Sequence, residues 1–62
     1  MNTYTFDFKI TKKGKYQGFR GSVVKASNMK EAIEKAKQDV REQAVNDFGE
    51  DCKVRLNSKW KH

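Results

Sequence analysis

The stretch from Asn28 to Gly49 constrains this chain more than any other, because it alone combines a sustained helical period with a signal at each end. Met29, Ile33, Ala36, Val40 and Ala44 recur at spacings of four and three, with Ala32 and Phe48 beside the same stripe, the pattern of a helix with one buried face. Asn28 can accept a hydrogen bond from the first free backbone N–H groups, and Glu31 three residues later fits a capping box. Gly49 supplies the left-handed conformation that ends many helices. A helix over 28–48 is therefore predicted, and the rest of the chain must supply the surface it covers.

Before the helix, Thr3 to Ile10 alternates strictly. Tyr4, Phe6, Phe8 and Ile10 share one face, and Thr3, Thr5, Asp7 and Lys9 the other, which reads as a half-buried strand over 3–10. Its four large side chains are the best partners for the helix stripe, so it belongs in the middle of a sheet. Thr11-Lys12-Lys13-Gly14-Lys15 reads as a hairpin loop and 16–26 as the return strand. In that strand Ala26, Val24, Ser22 and Arg20 share a face, while Lys25, Val23, Gly21 and Phe19 share the other. A one-residue bulge at Gly18 or Gly21 would exchange the faces upstream of it, so the exposure of Phe19 turns on that bulge. After Gly49, residues 52–57 alternate again, with Cys52, Val54 and Leu56 inward and Lys53 and Arg55 outward, and 58–62 reads as a basic tail carrying Trp60. The expectation is an α+β fold of one domain, ββαβ, with a three-stranded antiparallel sheet in the order 3-1-2 and one long helix on one face.

With 62 residues, a domain buries only about 60% of the surface its unfolded chain exposes, so one helix on one small sheet is near the limit. No apolar run approaches the roughly 20 residues that span a bilayer, and Met1-Asn2-Thr3-Tyr4 lacks the basic-then-apolar order of a secretory signal. A cytoplasmic protein without membrane contact is expected. The single cysteine, Cys52, excludes an internal disulfide, and one Cys with one His, His62, cannot assemble a structural zinc site. No metal and no cofactor are expected. Nucleotide-binding glycine loops, a Gly-x-Ser-x-Gly elbow and a His-Glu-x-x-His pair are all missing, and the acids fall on the helix or in the loop after it. With His62 read as frayed and no pocket-sized core, an enzyme is not expected.

The net charge of +6 is unevenly distributed. Up to Lys25 the only acid is Asp7, against Lys9, Lys12, Lys13, Lys15, Arg20 and Lys25; from Cys52 onward Lys53, Arg55, Lys59 and Lys61 meet no acid at all. The acids Glu31, Glu34, Asp39, Glu42, Asp47, Glu50 and Asp51 belong to the helix and its end loop, where Glu31 with Lys35 and Lys35 with Asp39 form solvated pairs. Strands this basic beneath a helix this acidic predict a positive open sheet face and a mildly negative back. On that face Lys9, Lys25, Lys53 and Arg55, continued by Lys59, would meet phosphates, Lys12, Lys13, Lys15 and Arg20 would extend the footprint from the hairpin, and Phe19 or Tyr16 would stack on bases. Trp60 either folds back to cap the sheet or serves as an exposed anchor. The same residues read more blandly as a lysine-rich surface that keeps the sheet soluble and its edges unpaired.

Tyr16-x-Gly-Phe-Arg-Gly resembles the Tyr-x-Gly-Val-Arg opening of plant AP2-type DNA-binding domains and the three-stranded arm-binding domains of phage integrases. In both, three strands precede the helix, whereas here one strand follows it, so no DNA-contacting residue carries over. In size and layout the whole chain resembles small phage accessory proteins of the anti-CRISPR kind, a resemblance that implies occupation of a surface on a larger machine. Two functions follow as expectations: a sequence-nonspecific nucleic-acid-binding module, or an inhibitor or adaptor that covers an acidic protein surface and pairs through the free edge of its second strand. A homodimer is a third.

Overall fold

A computed structural model describes residues 1–62, with β1 over Asn2–Lys12, β2 over Lys15–Ala26, α1 over Met29–Phe48 and β3 over Cys52–Lys61. The three strands form one antiparallel sheet in the order β2-β1-β3, which is the expected 3-1-2 order read from the other edge. β1 is central, as its four inward side chains require. Tyr4, Phe6, Phe8 and Ile10 are buried, and their rings run in sequence along the strand, with Tyr4 and Phe6 centroids 6.2 Å apart and Phe6 and Phe8 6.4 Å apart.

The helix meets these large rings with small side chains. Ala32, Ala36, Val40 and Ala44 are fully buried, while Met29, Ile33, Val45 and Phe48 pack at the margins of the same core. Bulk on the sheet and small residues on the helix let the two layers approach closely and interdigitate. Asn28 caps the helix, its Oδ1 accepting from the Glu31 N–H at 2.9 Å. The reciprocal half of the capping box does not form, because the Glu31 carboxylate turns to Lys35 at 3.2 Å. Nor does Lys35 pair with Asp39; it donates to the Lys25 carbonyl at 3.3 Å, and Asp39 accepts from the Ser22 hydroxyl at 2.7 Å. At the other end Gly49 has φ 101° and ψ 169°, an extended positive-φ geometry in place of the expected left-handed helical one, and its N–H bonds the Val45 carbonyl at 3.0 Å.

The hairpin turn is tighter than the sequence suggests. β1 runs on to Lys12 and β2 begins at Lys15, leaving Lys13 (φ 52°) and Gly14 (φ 79°) as the two loop residues, both with the positive φ that a type I′ turn demands. The residues read as a tail are strand: β3 continues to Lys61, and the His62 N–H donates to the Thr3 carbonyl at 2.8 Å. His62 is not frayed, since its Nε2 also lies 2.7 Å from the Thr5 hydroxyl.

Candidate nucleic-acid interface on the open sheet face

Directly opposed residues in an antiparallel ladder share a face, so the register assigns every strand side chain. On the face away from the helix, Lys25, Thr3 and His62 lie level, followed by Val23, Thr5 and Trp60, then Gly21, Asp7 and Ser58, then Phe19, Lys9 and Arg55, and finally Tyr16, Thr11 and Lys53. Successive levels are about 6.6 Å apart and neighbouring strands about 4.8 Å. Lys9, Phe19, Lys25, Lys53, Arg55 and Trp60 thus come together on this open face, with Tyr16 beside them.

Two one-residue bulges decide which aromatics arrive there. On β2, Ile10 faces Gly18 and Thr11 faces Tyr16, so Gln17 is the extra residue; were Gln17 paired with Thr11 in a regular ladder, Tyr16 would lie opposite Lys12 and point to the helix side. The irregularity falls at Gln17, beside Gly18 rather than at Gly18 or Gly21, and Phe19, which follows it in the chain, keeps the open side. On β3, Phe8 faces Leu56 and Asp7 faces Ser58, so Asn57 is extra. Beyond it the faces exchange, and Trp60 turns to the open side. Lys59 moves the other way: it lies opposite Phe6 on the helix side and does not continue the basic row.

The resulting surface mixes rings with cations. Tyr16, Phe19, Val23 and Trp60 are 58%, 46%, 67% and 50% exposed, which leaves their apolar surfaces free for a ligand. Tyr16 and Phe19 meet edge to face with centroids 5.6 Å apart, and the Lys9 ammonium lies 5.8 Å from the Tyr16 ring centre. None of Lys9, Lys25, Lys53 and Arg55 is held in an ion pair. Asp7 is the one acid among them.

Three further cations of the expected footprint lie off the open face, two of them with structural duties. Lys12 donates to the Phe48 carbonyl at 2.9 Å and lies 3.4 Å from Asp51, placing a positive charge at the helix C-terminus, whose own last turn has none. Arg20 bonds Asp47 through Nε and Nη2, both at 2.9 Å, with its guanidinium 4.9 Å from the Phe48 ring centre. Lys59, as described, faces the helix side. Lys13 and Lys15 remain exposed at the hairpin tip, beyond the open face itself.

The edge of β2 is partly closed to strand addition. The carbonyls of Phe19, Gly21 and Lys25, at the alternate positions where an edge strand points outward, accept from Arg20 at 2.7 Å, Gln43 at 3.4 Å and Lys35 at 3.3 Å. The only depressions in the surface are two open ones on the outside of α1, lined by helix side chains such as Gln38, Arg41 and Glu42. No three His, Cys, Asp or Glu side chains come together as metal ligands would, Cys52 is a buried free thiol, and no helix is long and apolar enough to cross a membrane. The chain has no match among protein-family models, curated proteins or solved structures.

Proposed function

We propose that this protein is a non-enzymatic, cytoplasmic binding module that holds single-stranded nucleic acid on the open face of its sheet. The observation that carries the reading is the pair of bulges at Gln17 and Asn57, which add Tyr16 and Trp60 to a face already bearing Phe19, Lys9, Lys25, Lys53 and Arg55. Exposed rings offer stacking to unpaired bases, at about 1–3 kcal/mol per base, and the surrounding cations neutralise the phosphates that link them. A duplex hides its base faces, and the one helix, acidic outside and apolar inside, is no groove reader. Lys13 and Lys15 at the tip extend the electrostatic footprint.

The test is binding of labelled single- and double-stranded DNA and RNA across a salt series. Affinity for single strands should exceed that for duplexes and fall linearly on a log–log plot, with a slope of roughly −3 if the four open-face cations each meet a phosphate. Absence of binding at low salt would end this reading. A second reading, an inhibitor or adaptor of the anti-CRISPR kind, is favoured by one feature: Val23 and Trp60 flank the uncharged Thr5 in an apolar row, and Val23 has no ring to stack. On that reading Trp60 and Val23 dominate binding to a protein, and salt matters little.

A further inference from the structure

Asp7 is out of place on a phosphate-binding surface. It occupies the centre of the open face, on the middle strand, where a negative charge repels the strand the surrounding cations attract. Its carboxylate takes part in none of the three ion pairs and accepts no side-chain hydrogen bond, and the half-buried position leaves it accessible. Room is kept for it: a Cβ on Gly21, directly opposite, would lie 3.2 Å from Asp7 Oδ1, so any other residue there would crowd the carboxylate.

The register also brings it within reach of two stacking positions. Phe19 lies opposite Lys9 and Trp60 opposite Thr5, which makes both rings diagonal neighbours of Asp7, one on each side at about 7–8 Å. A base stacked on either ring extends its edge over the central strand, toward this carboxylate. Ionised, the carboxylate only accepts hydrogen bonds. Guanine alone among the bases presents two adjacent N–H donors, at N1 and N2, on its Watson–Crick edge. Adenine and cytosine each set one amino group beside a ring nitrogen that is itself an acceptor, and uracil or thymine sets one N–H between two carbonyl oxygens. Both oxygens of Asp7 can be satisfied by guanine, whereas every other base turns at least one lone pair toward it.

We infer that Asp7 is a specificity-determining residue that selects guanine at one position of a single strand lying across the open face. The inference rests on the proposed function and adds to it a base preference that the phosphate contacts cannot supply. A paired fork of hydrogen bonds of this kind discriminates by about tenfold or more against the wrong base.

The experiment uses the full chain and short oligothymidylates carrying one central guanine, adenine or cytosine, in deoxyribose and ribose form, with the unsubstituted oligomer as reference. The guanine oligomer should bind about tenfold more tightly than the others. In Asp7→Asn that advantage should disappear while the other oligomers bind somewhat better, because a negative charge has been removed. If Asp7 were only a solubilising charge, the substitution would improve all four equally and leave their ratio unchanged, which would overturn the inference. Equal binding of all four by the unsubstituted protein would overturn it too, with the proposed function intact. Failure to bind any of them would remove both.

Discussion

The two faces of this sheet use the same kinds of side chain to opposite ends. Toward α1, Tyr4, Phe6, Phe8 and Ile10 are at most 2% exposed and belong to one apolar cluster with the buried helix side chains. Away from it, Tyr16, Phe19, Val23 and Trp60 are about half exposed or more and stand among unpaired cations. Single exposed apolar residues need no explanation, but four gathered on one face of so small a domain do. A chain with so little core to build has left three of its seven aromatic rings outside it. The helix face therefore carries stability and the open face is free to carry recognition.

Substitutions can separate the two roles, and the largest effect belongs to the helix face. Phe6→Ala should cost about 3–5 kcal/mol, much of the stability of a domain this size, and urea denaturation should find the variant largely unfolded. Trp60→Ala should leave the urea midpoint nearly unchanged but weaken single-strand binding by about 1–3 kcal/mol. If it unfolded the protein as Phe6→Ala does, the two faces would not differ in role. Removing Asn57 and Ser58 together deletes no group argued to touch the ligand and brings Lys59 opposite Asp7 and Trp60 opposite Phe6: Trp60 should turn inward, its fluorescence should shift to the blue, and affinity should fall about tenfold. Arg20→Ala should cost about 1 kcal/mol of stability, a partly exposed ion pair being screened by solvent, with oligonucleotide affinity little altered. Smallest is Lys9→Ala, which should reduce the slope of the salt series by about 0.7 and barely move the melting temperature.

The elements themselves were legible because their signals are local. A period of two in Thr3 to Ile10 and of about 3.6 after Asn28 follow from backbone geometry that each segment carries with it. The same periods put Lys9, Lys25, Lys53 and Arg55 on the open face. Lys12 and Arg20 could not be sorted in this way, since what engages them lies 36 and 27 residues along the chain. To the sequence they look like any other free cation. Asp7 was visible as the only acid among the early strands, but its central place between two rings was not.

Sequence alone determined the order of elements, the central position of β1 and the basic character of the sheet, since pattern and charge are properties of the chain. Tertiary structure decided which aromatics face outward. A bulge is one residue without a partner, and Gln17 and Asn57 become bulges only because β1 fixes the pairing on either side of them. One unpaired residue reverses every side chain beyond it, so Tyr16, Lys59 and Trp60 took their faces from strand pairing rather than from their own neighbours in the chain.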